Sequence, residues 1–229
     1  MKAMVLAAGL GTRLRPLTDE KPKALVEVGG KTMLEIVLAR LRAAGATDVI
    51  VNAHHFADRL ESFIKSRDFG MKLAVSREDV LLDTGGGLKK AAWFFGDGRP
   101  FLVHNVDVLT DLDLRKLYHS HADGGALATL AVHKRETKRP LVFDAADRLV
   151  GRAGEGMGLA FMGVHAISPE LFEKLTEDGV FPIVDAYARL AKEGEPIVAY
   201  RDDNAFWRDL GTAAKLAEAA KAAKTRGLL

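Results

Sequence analysis

A short apolar strand that runs into a glycine-containing, cationic loop is the feature of this chain whose residue types most directly suggest chemistry. Residues 3–7 are apolar and of strand length, and Gly9 and Gly11 follow, where a backbone can turn sharply and approach a ligand closely. Arg13 and Lys23 then supply fixed positive charge. Glycines beside cations suit phosphate oxygens, so this loop predicts a site for a nucleoside triphosphate.

Two common phosphate-binding loops do not fit this segment. The third glycine of a dinucleotide fingerprint would fall at Leu14, and the Gly-Lys-Ser/Thr of a P-loop is absent. A Rossmann-type oxidoreductase would therefore lack the signature of its cofactor site. The structural alternative is an ordinary strand–turn–helix loop in which Arg13 and Lys23 are simply solvated.

A second candidate binding segment lies at residues 83–88, where Asp-Thr-Gly-Gly-Gly-Leu precedes a predicted helix. Three successive glycines would let a flat nucleobase lie against the backbone, and their amides could donate to its edge. The alternative is a flexible turn in which Thr84 only begins the helix.

Asp107 is a carboxylate that lies just after the short strand predicted at residues 101–104. The carboxyl edge of a sheet presents residues to ligands, and Mg²⁺ commonly takes one or two protein carboxylates together with phosphates and water. A turn or helix-cap role is the alternative, and Asp111 or Asp113 could fill that role equally well.

The bulk composition describes one ordinary globular unit. A formal charge of +2 over 229 residues is too small, and too evenly spread, to predict a nucleic-acid or anionic membrane surface. The absence of cysteine excludes disulfides, thiolate metal sites and cysteine nucleophiles.

The pairs His54–His55 and His119–His121 lack a third ligand at zinc spacing, so they are interpreted as surface or near-site residues. With no signal peptide and no apolar run of membrane-spanning length, a cytoplasmic enzyme is expected.

Helix and strand patterns alternate from residue 3 to about residue 133, which predicts an open α/β sheet with ligands at the strand carboxyl ends. Thr32 to Glu35 forms a capping box that begins one helix, and other helices are predicted at 56–67, 88–95 and 113–121. From Pro140 the pattern changes to a hairpin, 141–143 with 148–152. Helices are then expected from Pro169, over 181–193 and through the alanine-rich tail.

Gly-Leu-Gly-Thr-Arg-Leu-Arg-Pro-Leu-Thr over residues 9–18, followed by Pro22 and Lys23, resembles the signature of the sugar-1-phosphate nucleotidyltransferases. The resemblance covers essentially the whole chain. It implies a single domain over 1–229 with the nucleotide-diphospho-sugar transferase fold, a Rossmann-like open mixed sheet flanked by helices. A nucleotide-binding part is expected at about 1–135, a small antiparallel sugar-binding lobe at about 136–211 and a terminal helix at 212–226.

The resemblance also implies roles for individual residues. Arg13 and Lys23 match catalytic positions, Asn105 and Gly163 match sugar-binding positions, and the expected nucleotide-binding positions are Leu6, Ala8, Gly9, Gly11, Thr12, Thr84, Gly85 and Gly86. Asp107 in Asn-Val-Asp and Asp209 in Trp-Arg-Asp-Leu-Gly-Thr match the two metal-binding aspartates.

Two departures from the family pattern concern the sugar site. Val106 replaces the usual small residue beside the metal-binding aspartate, and residues 150–155 stand where many members have Val-Glu-Lys-Pro. Arg152 or Glu155 could substitute for that motif, or both could lie exposed on a loop.

The reaction implied is transfer of a nucleoside monophosphate from a nucleoside triphosphate to a sugar 1-phosphate, with Mg²⁺ as cofactor and release of pyrophosphate. The 229-residue length fits the short branch without a β-helix extension. Within it, the motifs are most similar to N-acetylmuramate-1-phosphate uridylyltransferases, so UTP and that sugar phosphate are the expected substrates. Mannose-1-phosphate guanylyl transfer, cytidylyl transfer to phosphocholine and a non-catalytic nucleotide-sensing subunit are the alternatives.

Overall fold

Strands and helices alternate along the chain and assemble into a central sheet with helices on both faces. The computed structural model describes residues 1–152 and 155–228. Its strands are β1 (Lys2–Leu6), β2 (Glu27–Val28), β3 (Lys31–Thr32), β4 (Asp48–Ala53), β5 (Lys72–Arg77), β6 (Phe101–Asn105), β7 (Val108–Thr110), β8 (Ala128–His133), β9 (Leu141–Phe143), β10 (Leu149–Gly151), β11 (Met157–Ile167), β12 (Ile197–Arg201) and β13 (Trp207–Asp209). Its α-helices are α1 (Met33–Ala44), α2 (Ala57–Lys65), α3 (Asp83–Lys90), α4 (Leu114–Gly124), α5 (Leu171–Lys174), α6 (Ile183–Lys192) and α7 (Ala213–Thr225).

The central sheet is mixed, as the sequence predicted. Its order is β10-β9-β11-β6-β1-β4-β5, with β8 beside β11 and β12 beside β8. Strand β1 pairs in parallel with β4 and β6, and β4 pairs in parallel with β5. Strand β11 runs antiparallel to β6, β8 and β9. Because parallel strands end at the same edge, the loops after β1, β4 and β6 are neighbours, and this edge carries the candidate site.

Two apolar cores cover the two faces of the sheet, because successive residues on a strand point to opposite sides. On β1, Ala3 and Val5 belong to one core and Met4 belongs to the other. Helices α1, α2, α4 and α7 contribute to the first core, and α3, α5 and α6 contribute to the second. Burial on both faces explains why residues 3–6 of β1 and 101–103 of β6 are consecutive apolar residues.

Helix α1 begins and ends as its local sequence predicts. The Thr32 hydroxyl accepts a hydrogen bond from the Glu35 amide, and the Glu35 carboxylate accepts one from the Thr32 amide, which completes the capping box. The helix ends at Ala44, and the next residue, Gly45, has a φ of 100°, in the left-handed region that glycine adopts without strain.

Two predicted helix starts are wrong. Helix α3 begins at Asp83 instead of Leu88, so the three glycines lie inside a helix, and residues 92–95 form a separate 3-10 turn. Helix α5 is one short turn that begins after Pro169, because the Ser168 hydroxyl donates to the Ala126 carbonyl and caps no helix.

The antiparallel segment after Pro140 forms as predicted, with β9 paired to β10. Strand β11 joins this hairpin to the central sheet, so the hairpin extends that sheet. The terminal helix α7 also forms as predicted and packs against the core with Leu216, Ala219 and Ala223. In the described ranges, no helix has the length and apolar character needed to cross a lipid bilayer.

Candidate active site

The loop after β1 is held in a sharp turn by glycine and by two hydrogen bonds to one backbone carbonyl. Gly11 has a φ of 65°, and a Cβ there would lie 2.9 Å from Thr18 Cγ2 and 3.1 Å from Lys23 Cβ. The Thr18 hydroxyl donates to the Gly11 carbonyl at 2.9 Å, and the Leu14 amide donates to the same carbonyl at 2.8 Å. Any side chain at Gly11 would therefore strain the backbone and press against Thr18 and Lys23.

Two cavities adjoin along this loop and share Leu81. The first has a volume of about 280 Å³ and is largely apolar, and its lining is Leu6, Ala8, Gly9, Asn52, Leu81, Asp83, Thr84 and Val180. The second has a volume of about 240 Å³ and contains two cations, and its lining is Leu10, Gly11, Thr12, Arg13, Lys23, Leu81 and Gly211. The apolar cavity suits the nucleobase of a nucleotide, and the adjoining cationic cavity suits its phosphates.

Most of the predicted nucleotide-binding residues line these cavities, but Gly85 and Gly86 do not. The amides of both residues donate to the Phe181 carbonyl, at 2.9 and 3.3 Å, so neither is available to a nucleobase. A Cβ at Gly85 would lie 2.2 Å from the Phe181 ring, and a Cβ at Gly86 would lie 2.2 Å from the Gly179 carbonyl oxygen. The prediction that these amides read a base is therefore corrected, because their lack of side chains serves close packing.

We expect Gly86→Ala to lower the free energy of unfolding by about 1–3 kcal/mol, the usual cost of overpacking a filled site. The new methyl group would meet the backbone of Gly179, which cannot rotate away as a side chain can. Gly124→Ala in α4 is the matched control, since nothing lies within 4 Å of a Cβ there. Urea unfolding of both variants tests this expectation, and equal stability of the two would contradict it.

A buried polar network that sequence reasoning missed connects the two loops around the first cavity. Asn52 Oδ1 accepts from the Ala7 amide at 2.6 Å, and Asn52 Nδ2 donates to Glu78 Oε1 at 2.7 Å. Glu78 Oε2 accepts from the Leu82 amide at 3.0 Å, and the Glu78 side chain is almost fully buried. The network fixes the loop after β1 against the start of α3. Asn52, a polar residue within the apolar strand β4, was the available signal.

Strand pairing brings the two predicted metal-binding aspartates together. In the β7–β13 ladder Asp209 lies opposite Val108, and the Leu210 amide donates to the Asp107 carbonyl at 2.8 Å. This ladder was not predicted, because it joins residues far apart in the chain. The two alternative aspartates have structural roles, since Asp113 caps α4 and Asp111 accepts from the Phe206 amide.

Each of these aspartates pairs with a lysine. Asp107 forms an ion pair with Lys23, whose side chain is 12% exposed. Asp209 pairs with Lys215 in the first turn of α7 and accepts from the Gly211 amide at 2.9 Å. Burial by itself would raise the pKa of Asp209, but Lys215, the Gly211 amide and Arg13 outweigh it, so that pKa falls below its ordinary value. Asp209 is therefore ionised at neutral pH.

Arg13 lies against the second aspartate. A Cβ at Gly211 would be 2.6 Å from Arg13 Nη2 and 2.7 Å from Asp209 Oδ1, so the guanidinium and the carboxylate flank the same glycine. Arg13 is exposed, and in the described ranges it has no carboxylate within ion-pair distance. Its donors therefore remain free for a ligand.

The structure also brings together the two predicted sugar-binding residues. Gly163 has a φ of 73°, and a Cβ there would lie 2.7 Å from Asn105 Nδ2. Trp207 Nε1 donates to the carbonyl of Met162, the neighbouring residue, at 2.8 Å. Gly163 therefore lets the Asn105 side chain lie closer to the backbone of β11 than a residue with a Cβ would allow.

The segment 150–155, considered as a replacement for Val-Glu-Lys-Pro, supplies no contact to this site in its described residues. Arg152 is exposed and pairs with Asp185 on α6 at 2.8 Å. Glu155 is also exposed, and Ala153 and Gly154 lie outside the described residues.

The histidines do not form a metal centre. Among the described residues, no group of three or more histidine, aspartate or glutamate side chains is arranged to hold an ion. His121 is buried between Thr129 and Ser168, which corrects its interpretation as a surface or near-site residue, and burial lowers its pKa to about 4. His104 is also buried, with its pKa lowered to about 4, so it stays neutral at physiological pH.

Comparison with known proteins places this site in a family context. The family model described as "Nucleotidyl transferase" matches residues 2–143. The chain is 37% identical to the N-acetylmuramate alpha-1-phosphate uridylyltransferase of Caulobacter vibrioides, over 97% of each chain. It is 30% identical to the mannose-1-phosphate guanyltransferase of Aspergillus oryzae, over 92% of this chain and 61% of that protein. The crystal structure of HddC from Yersinia pseudotuberculosis, at 23% identity, shares the fold with a TM-score of 0.80 over 96% of this chain and 98% of that one.

Proposed function

The chain belongs to the nucleotidyl transferase family, and from this premise we propose that it transfers UMP from UTP to N-acetylmuramate 1-phosphate. The observation that carries the choice of substrates is the end-to-end similarity to the Caulobacter vibrioides uridylyltransferase, at 97% of both chains. The guanyltransferase similarity leaves more than a third of that relative unmatched. A cytoplasmic location is proposed with it, because nucleoside triphosphates are made and used there.

In the proposed reaction a phosphate oxygen of the sugar phosphate attacks the α-phosphorus of UTP. The bond from the α-phosphorus to the bridging oxygen breaks, and pyrophosphate leaves with that oxygen. A phosphate monoester is largely a dianion at neutral pH, so no general base is required. The protein therefore accelerates the step by alignment and by neutralising charge.

The two cavities supply that alignment. The apolar cavity beside Thr84 and Asn52 takes the uracil, and the cationic cavity takes the phosphates. Arg13, whose guanidinium donors have no partner among the described residues, binds the β- and γ-phosphates. Lys23 offsets charge at the α-phosphate, where the attacking and leaving groups meet.

We propose that Asp107 and Asp209 hold a Mg²⁺ ion. Their carboxylates are oxygen donors of the kind Mg²⁺ prefers, and a set of one or two protein carboxylates is usual when phosphates complete the shell. Bound Mg²⁺ would neutralise phosphate charge and help to orient the reacting groups. Lys23 and Lys215, which pair with these carboxylates in the structure, balance their charge without the ion.

We expect Glu78→Gln to raise the KM for UTP by about 10-fold, because an unsatisfied buried hydrogen-bonding group costs on the order of 1–3 kcal/mol. The amide would place an NH₂ group against either the Asn52 amide or the Leu82 N–H. The KM for the sugar phosphate should change little. Glu218→Gln, at an exposed position of α7, is the control. Steady-state kinetics test this expectation, and an unchanged KM for UTP would contradict it.

The direct test of the proposed function is pyrophosphate release from a matrix of substrates. Purified protein with Mg²⁺ is incubated with UTP, GTP, CTP or dTTP against N-acetylmuramate 1-phosphate, mannose 1-phosphate, glucose 1-phosphate and phosphocholine. Release with UTP and N-acetylmuramate 1-phosphate, well above every other pair, is the expected result. Preference for GTP with mannose 1-phosphate would replace the proposal, and nucleotide binding without any release would indicate a nucleotide-sensing subunit.

A further inference from the structure

An arginine that sequence reasoning missed lies on the sugar side of the site. Arg135 follows β8, and its guanidinium carbon lies 3.9 Å from the centroid of the Trp207 ring. Its Nε donates to His133 Nε2 at 2.7 Å. These contacts fix the plane of the guanidinium, so that its remaining donors have a defined direction.

This guanidinium is partly buried, yet the described residues supply it with no carboxylate partner. Apart from Nε, its only hydrogen bond in the described ranges is a long one, 3.5 Å from Nη2 to the Phe161 carbonyl. Partial burial lowers the pKa of Arg135, and the nearby charge of Asp209 opposes that shift. Asp209 is itself engaged by Lys215. A cation held in this way has donors left for an anion, and the described part of the chain does not supply that anion.

Trp207 places Arg135 at the junction between the aspartate pair and the sugar-binding residues. Asp209 follows Trp207 by two positions in β13, and the indole N–H donates to the Met162 carbonyl beside Gly163. In a sugar 1-phosphate, the group that lies between the sugar ring and the reacting α-phosphorus is the phosphate. An anion at this junction is therefore the attacking phosphate of the acceptor.

We propose that Arg135 binds the phosphate group of the sugar 1-phosphate and orients it for attack. The inference rests on the proposed function for its ligand, and it assigns a substrate-binding role to a residue outside the recognised motifs. The planar guanidinium fork suits two phosphate oxygens, and the stacked indole prevents it from turning away.

Kinetics of three variants provide the first test. We expect Arg135→Gln to raise the KM for the sugar phosphate about 10- to 100-fold, as for a lost charge-assisted hydrogen bond, with the KM for UTP changed less than about 2-fold. Arg135→Lys should recover part of the loss, because it keeps the charge and loses the planar fork. Arg139→Gln is the matched control, since this arginine is exposed in the same loop and bonds only through its backbone amide in the described ranges. Equal increases in both KM values, with a lowered melting temperature, would mean a structural role and would overturn the proposal.

A binding measurement separates this inference from the proposed function. The chain has two tryptophans, and Trp93 is 66% exposed, so Trp93→Phe leaves Trp207 as the only indole. Titration of this variant with N-acetylmuramate 1-phosphate, glucose 1-phosphate and mannose 1-phosphate should change the Trp207 fluorescence saturably for at least one of them. Adding Arg135→Gln should weaken that binding about 10- to 100-fold.

The outcomes are distinguishable. Saturable binding that depends on Arg135, without pyrophosphate release from any substrate pair, would reject the proposed function and keep the phosphate-binding role. Binding that Arg135→Gln leaves unchanged, or no fluorescence response to any sugar 1-phosphate, would overturn the role. N-acetylmuramate without phosphate is the final comparison, because it retains the lactyl carboxylate. If Arg135→Gln weakens its binding equally, the arginine binds the carboxylate and the proposal is wrong.

Discussion

Asp107→Asn is expected to lower kcat on the order of 10³-fold, because several kilocalories per mole of charge stabilisation at the transition state would be lost with one of the two carboxylates proposed to bind Mg²⁺. Asn keeps the shape of the side chain, and the backbone hydrogen bond from Leu210 to the Asp107 carbonyl does not involve it. The protein should therefore remain folded. The measurement is kcat at a series of Mg²⁺ concentrations, with circular dichroism as the check on folding.

Asp123→Asn is the matched control for this variant, since Asp123 is an exposed residue of α4. It should have wild-type kcat and the same dependence on Mg²⁺. Wild-type turnover in a folded Asp107→Asn protein would exclude Asp107 from the metal site.

Lys23→Gln is expected to lower kcat by about 10²- to 10³-fold, the usual effect of removing one donor that stabilises transition-state charge. Lys23 lines the cationic cavity and pairs with Asp107. Its loss would remove a cation from the place where negative charge develops in the proposed reaction. Nucleotide binding should weaken much less than turnover, because the base cavity and Arg13 are untouched. Single-turnover rates and an equilibrium dissociation constant for UTP separate the two effects.

Lys31→Gln provides the comparison, because Lys31 is exposed on the short strand β3. A second control concerns the carboxylate that Lys23→Gln leaves without its partner. If added Mg²⁺ restored full kcat, Lys23 would act only by balancing the charge of Asp107. We expect no such recovery, since the lysine is assigned a contact with the α-phosphate.

Much of the site was predictable because its parts are local. The turn at Gly11 needs a left-handed backbone conformation, and the capping box at Thr32 is formed within four residues, so their geometry follows from neighbouring residue types. Asp107 was placed after a strand by the apolar run before it. These features depend on steric limits and short-range hydrogen bonds, which a sequence displays directly.

Other residues were misjudged or missed because their roles depend on distant partners. Three successive glycines in α3 are typical of a flexible turn. The segment that contains Gly179 and Phe181 packs against them and holds them in a helix. Asn52 and Glu78 are unremarkable in their own segments, and only the juxtaposition of β4 with the start of α3 joins them.

The sequence by itself therefore determined the reaction class, the alternating α/β plan and the loop that lines the cationic cavity. The tertiary structure alone decided how the carboxylates and cations are combined. The β7–β13 ladder pairs Asp209 with Val108, the residue after Asp107, across about a hundred residues of chain. Trp207 in the same strand stacks on Arg135. Local conformational preferences act over a few residues. The β7–β13 pairing and the Trp207–Arg135 contact form only when the folded sheet brings distant segments together, so no local sequence pattern predicts them.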